Sequence, residues 1–226
     1  MDAILQHRQQ QVLYDKKWKK FLRRAWVFRC VPFADFVLAA GSLATGEILP
    51  DSDFDVIVAS RRGRIFTARL FSILFFGFFN WRRTRLSHRE AAKDKVCLNH
   101  FITEASYRLK PPYTNSWCEL YKNLVPVFGD VAAMNKFWDA NADWMGRKKI
   151  AEDDLRFISS EPNLIGKTLR RILSGKMGDW FEGAVKRYQI RRIEKSLRSD
   201  PVGYKPRITY SDEELEFHPD RRKFEE

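Results

Sequence analysis

Asp53 and Asp55 stand one residue apart at the start of an apolar run, FDVIVA. On an extended strand, residues i and i+2 point to the same face. The two carboxylates therefore converge, and Phe54 between them turns the other way, into a core. Carboxylates this close repel, each destabilising the other's charged form. A divalent cation relieves that repulsion. Mg²⁺ suits oxygen ligands and keeps coordination positions for water and substrate phosphates. Asp51 falls on the same side by count but sits beside Pro50 in a turn, which makes it an entrance residue.

An isolated Asp-x-Asp also occurs in ordinary turns, where its acids cap helices or stay solvated. Here it has company. Upstream, a second apolar run, FVLAA, ends in Gly41-Ser42. Gly41 lets the backbone approach a phosphate closely. Ser42 offers a hydroxyl and an N–H to an anion-binding nest. Leu43-Ala44-Thr45 opens a short helical turn whose amides face the same anion. These parts suit phosphoryl or nucleotidyl transfer. Metal neutralises the phosphates, the backbone positions them, and a carboxylate deprotonates the attacking hydroxyl.

The elements that position these residues follow from pattern. FVLAA and FDVIVA have the length and β-branched content of buried strands. Residues 4–29 read as a basic amphipathic helix, with Trp18, Phe21, Leu22 and Trp26 among Lys16, Lys17, Lys19, Lys20, Arg23 and Arg24. Those cations are a solvated face or a contact for phosphate or an acidic partner. Val31-Pro32 ends the helix. Residues 64–81 are the most apolar part of the chain. The uncharged run Leu70 to Trp81 is too short to span roughly 30 Å of bilayer as a helix. Burial against the sheet is the expectation for it. Its flanking arginines (Arg61, Arg62, Arg64, Arg69, then Arg82, Arg83, Arg85) also suit a membrane interface or a subunit contact. KVCLNHFIT, residues 95–103, is a third strand. A break at Lys110-Pro111-Pro112-Tyr113 precedes two helices, Thr114 to Leu124 and Val131 to Trp144, separated by VPVFGD. A charged linker from Arg147 to Leu155 leads to helical, basic sequence from Leu164 to Arg198. The terminal SDEELEFHPDRRKFEE reads as an acidic, peripheral tail.

With 41 Lys and Arg against 29 Asp and Glu, the formal charge is +12. That favours anionic partners: nucleotides, nucleic acid or an anionic membrane surface. The three cysteines, Cys30, Cys97 and Cys118, are far apart. They form neither a zinc spacing nor a disulfide framework, so a reduced, cytoplasmic setting is the expectation. The first residues, MDAILQHRQQQVLYDKK, lack the apolar core of a signal peptide. Signature RNA-binding motifs are absent, so an RNA partner rests on charge alone.

Apolar strand, Gly41-Ser42, ten residues, Asp53-Phe54-Asp55, apolar strand: this arrangement resembles the polymerase-β-like nucleotidyltransferase superfamily, and GSLATG with DSDFDVIV looks like its small bacterial-type members. The match spans residues 36–60, and the order of neighbouring elements fits. The resemblance implies an α/β (α+β) fold: a mixed sheet flanked by helices, with a helical C-terminal part. The expected division is a core over 1–110, a helical region over 111–200 and the tail over 201–226. It further implies two Mg²⁺ ions held by Asp53 and Asp55, a triphosphate held by Gly41 and Ser42, and transfer of a nucleoside monophosphate from NTP to an acceptor hydroxyl. The family also places a third carboxylate on a later strand, here KVCLNHFIT, whose centre carries Asn99 and His100. Asn99 can coordinate through its carbonyl oxygen but takes no proton; His100 can act as a base. Glu104 lies just past the strand and Asp94 just before it. Asn99, as a metal ligand, and Glu104, as a catalytic acid, are the two expected occupants of the third position. Without a third carboxylate, the alternative is a catalytically weak nucleotide- or RNA-binding member of the same fold.

Overall fold

The computed structural model describes residues 2–84, 92–109, 121–146, 153–199 and 206–218. The break at Lys110 to Tyr113, Arg85, Cys118, most of the helix expected over Thr114–Leu124 and most of the expected charged linker lie outside them. So does the tail beyond His218.

A six-stranded mixed sheet forms the middle layer, in the order β4-β1-β2-β3-β6-β5. These strands are β1 Ala34–Ala40, β2 Phe54–Ser60, β3 Val96–Ile102, β4 Val125–Gly129, β5 Arg207–Tyr210 and β6 Glu214–His218. β1 runs antiparallel to β2 and β4, β2 is parallel to β3, and the β5–β6 hairpin joins β3 antiparallel. Strand alternation divides the core in two. Val37, Ala39, Phe54, Val56 and Val58 face one side. Phe36, Leu38, Ile57 and Ala59 face the other.

Three long helices cover the first face: α1 (Asp2–Ala25), α3 (Ile65–Phe78) and α7 (Gly175–Arg198). The second is covered by α4 (Val131–Ala140) and α5 (Ala142–Met145). Two further short helices among the described residues are α2 (Gly41–Thr45) and α6 (Leu164–Ile172). As expected, α1 stops before Pro32, passing through a 3₁₀ turn, Trp26–Cys30, into extended Val31.

The basic face of α1 is partly committed to the fold. Lys17 and Lys20 reach the Asp94 carboxylate at 2.9 and 2.6 Å, and Arg24 donates to the Asp94 carbonyl. Burial pushes the Asp94 carboxyl up, but the two lysines outweigh it and hold it below its ordinary value. Lys17 also donates to Ser52 O, and Gln10 to Gly46 O and Ile48 O. The helix thereby clamps both the loop between Gly41-Ser42 and Asp53 and the turn that starts β3.

The Phe-rich segment is buried in its first turns and only partly beyond them: of the uncharged run Leu70–Trp81, Ser72 and Phe76 are buried and Phe79 is exposed. Ile65, Phe66, Ala68 and Phe76 are fully buried, and Leu74 and Phe78 are exposed. Glu182 of α7 accepts the Phe66 and Thr67 amides at 2.9 and 2.8 Å, satisfying N–H groups that a helix start leaves orphaned. Arg69 lies over the Phe217 ring and donates to Gln189; burial lowers its pKa to about 10. No helix among the described residues is long and apolar enough to cross a membrane.

Two expectations are corrected. VPVFGD is no break between helices: Val125–Gly129 is the edge strand β4. Pro126 is tolerated there because an edge strand leaves one row of N–H groups unpaired. Nor is the start of the tail peripheral. ELEFH forms β6, with Leu215 and Phe217 in the core.

Candidate active site

β1 delivers the Gly-Ser pair to the sheet end where β2 begins. Ala40 pairs with Asp55, and the chain turns at once into α2. Gly41 has φ +62°, in the left-handed region that favours glycine. A Cβ at Gly41 would lie 2.3 Å from Asp55 Oδ2. The glycine is therefore the space into which the Asp55 carboxylate fits. At the other end of α2, Gly46 (φ +85°) takes the left-handed cap and returns its N–H to Ser42 O.

Asp55 shares the face of Ile57 and Ala59, and Phe54 is buried on the opposite side, as strand parity requires. One ligand atom each from Asp53, Asp55 and Cys97 lies within 4.8 Å of the others. Cys97 is thus the third member of the group. It pairs with Asp55 across the parallel β2–β3 ladder. Burial is the main reason its thiol is pushed well above the ordinary range; the Asp55 and Asp53 charges and a hydrogen bond to Asp55 push the same way. At neutral pH it is a protonated donor to a carboxylate.

Arg83 completes the group. Its guanidinium is 2.7 Å from Asp53 Oδ2, with both side chains less than a fifth exposed. Burial opposes its charge, but the Asp53 ion pair outweighs burial and raises its pKa. Arg83 arrives because residues 81–83 run beside β3: Val96 N donates to Trp81 O and Arg83 N to Val96 O. Its residue type had suggested a flank of a membrane segment; its position makes it the counter-charge to Asp53.

The other expected ligands fare differently. Glu104 lies in a short turn beyond the far end of β3 and pairs with Lys136 at 2.7 Å, both side chains 63% exposed. Because β2 and β3 are parallel, a residue after β3 belongs at the end opposite Asp53 and Asp55. Glu104 is therefore not the third acid. Asp94 is held by Lys17 and Lys20. His100 turns to Glu214, 3.1 Å away. Asn99 is buried, in the stretch where Asp55 pairs with Cys97 but Ile57 with His100; this bulge adds one residue to β3. Cys97 was findable from sequence. Acids at the start of β2 call for a partner at the start of a parallel neighbour, and Cys97 is the second residue of β3.

The chain matches no protein-family model, no curated protein and no solved structure.

Proposed function

We propose that the protein is a Mg²⁺-dependent nucleotidyltransferase, moving a nucleoside monophosphate from NTP to an acceptor hydroxyl. One observation carries this reading: Gly41, with no side chain, is packed against Asp55 at the joint where β1 hands over to α2. That contact unites the two halves of the sequence signature, Gly-Ser and Asp-x-Asp, in one place. Asp53 and Asp55 supply oxygen donors suited to Mg²⁺. The Cys97 thiol is the third neighbour of this donor set. The ion, when bound, would offset phosphate charge. Gly41 and Ser42 would position the triphosphate. The acceptor oxygen attacks the α-phosphorus, pyrophosphate leaves, and the acceptor proton passes to an aspartate.

A second reading is favoured by Cys97. A protonated thiol takes up no proton at neutral pH, so the site would bind nucleotide and turn it over poorly. A cytoplasmic location accords with both readings, since Cys30 and Cys97 are buried free thiols.

The test is pyrophosphate release from each of the four NTPs with Mg²⁺, across small-molecule, protein and RNA acceptors, beside Mg²⁺-dependent NTP binding. The proposal expects release that Asp53→Ala with Asp55→Ala abolishes. Release unchanged by that double substitution sinks it. Binding without release, lost in the same variant, selects the second reading.

A further inference from the structure

A second group of ionisable side chains lies further along β3 and has no part in the proposed reaction. β6 pairs antiparallel with β3, Glu216 directly opposite His100. Leu215 and Phe217 enter the first-face core, so alternation turns Glu214, Glu216 and His218 to the other face. One ligand atom each of His100, Glu216 and His218 lies within 4.8 Å of the others. His218 Nε2 is 3.1 Å from Glu216 Oε1, and Glu214 Oε1 is 3.1 Å from His100 Nε2. The two imidazoles stand edge to face, centroids 6.2 Å apart.

Glu216 makes this more than an ion-pair cluster. The residue is 1% exposed. Its Oε2 accepts from Arg207 Nε at 2.9 Å, while Oε1 is buried with His218 Nε2 3.1 Å away. A carboxylate this buried costs free energy unless protons or a cation meet its oxygens. This one points into the space it shares with two imidazoles.

We propose that His100, Glu216 and His218 form a binding site for a divalent transition-metal ion of the zinc class, with Glu214 holding the His100 ring. Two imidazoles and a carboxylate select such ions over Mg²⁺ and Ca²⁺, which take oxygen ligands. Zinc bonds of about 2.0–2.2 Å need ligand atoms roughly 3.3 Å apart in a tetrahedron. Atoms already within 4.8 Å reach that by small side-chain rotations. A carboxylate on the second nitrogen of a ligating histidine is the usual outer partner, and it fixes the ring. The side chains are 4% exposed at His100, 2% at Glu216 and 12% at His218, which suits a structural ion. Its effect is to tie the C-terminal hairpin to β3, joining residues more than a hundred positions apart. Binding the folded state alone, the ion adds to stability.

The test uses the full chain, stripped with a chelator and titrated with Co²⁺, whose visible absorption reports coordination by nitrogen and oxygen. The expected result is one Co²⁺ per chain, displaced by Zn²⁺ and unaffected by tenfold excess Mg²⁺. Asp53→Asn with Asp55→Asn should leave the spectrum intact, separating this site from the nucleotide site. His218→Gln should weaken binding by tenfold or more, and Glu214→Gln by about 10–100-fold. The proposal is overturned if the wild-type chain gives no stoichiometric spectrum. It is equally overturned if the spectrum survives unchanged in His218→Gln, or disappears in the Asp53/Asp55 variant. Should His218→Gln fail to fold by circular dichroism, Glu214→Gln supplies the same reading.

Discussion

β3 carries two clusters of ionisable groups, and they are built on opposite principles. At its start, Asp53, Asp55 and Cys97 meet Arg83 through elements close in sequence, and Asp53 keeps 16% of its side chain exposed. Further along, His100 meets Glu214, Glu216 and His218, delivered by a hairpin from the far end of the chain, and Glu216 is 2% exposed. Acids left near solvent stay available to a charged ligand. Acids sealed under a hairpin hold structure. The first cluster should therefore be costly to lose in function and cheap in stability, and the second the reverse.

The largest effect expected is on function. On the proposed reading, Asp53→Ala with Asp55→Ala should reduce Mg²⁺-dependent NTP turnover at least about 10²-fold and, as relief of the Asp53–Asp55 repulsion offsets the loss of Arg83's partner, shift stability by less than about 2 kcal/mol; pyrophosphate release and urea unfolding measure the two. Glu216→Ala is the mirror experiment. In the metal-free chain it should cost about 2–3 kcal/mol, since it empties a fully buried side-chain position and leaves Arg207, about a third exposed, without its partner, while turnover per folded molecule stays the same. A Glu216→Ala protein as stable as wild type breaks the comparison.

Cys97→Asp moves the first cluster towards the second by adding a buried acid. On the proposed reading, turnover should rise about tenfold as a third carboxylate is added, and metal-free stability should fall by about 1–2 kcal/mol from added like-charge repulsion and burial. Turnover unchanged in Cys97→Asp would remove Cys97 from the third position.

The smallest effect comes from an acid in neither cluster. Burial raises the Asp35 carboxyl from 3.8 to about 6, against the pull of Arg170 and Arg61. The folded-state value exceeds the unfolded one, so Asp35's contribution to stability is complete below about pH 3.8 and lost as pH rises through about 6. Asp35→Asn should then stabilise the protein by about 1–2 kcal/mol at pH 8 and be neutral near pH 3.5, as read from chemical unfolding at both pH values.

The first cluster was largely legible in the sequence because its information is local. Strand parity alone turned Asp53 and Asp55 one way and Phe54 the other, and β1 and β2 fall within two residues of their expected bounds. What escaped depended on pairing partners. Glu104 looked eligible until the parallel β2–β3 register set it at the wrong end, and that same register put Cys97 beside Asp55. The bulge after Cys97 left no trace in residue type. ELEFH did alternate as a strand should, but its charge disguised it as a tail; charges on a strand's second face look like solvent exposure until another element covers them. Pro126 hid β4 in the same way, since only the strand order reveals an edge.

The Arg83–Asp53 ion pair bears on the order in which ligands assemble. A cation approaching Asp53 competes with a guanidinium already 2.7 Å away, so a bare ion gains little. A triphosphate changes the exchange, because it offers Arg83 another anion as the cation takes its place. On the proposed reading, metal and nucleotide are thermodynamically linked through one arginine, each tightening the other by the same factor. Loss of Arg83 would uncouple them, improving affinity for the ion alone and weakening the nucleotide's dependence on it.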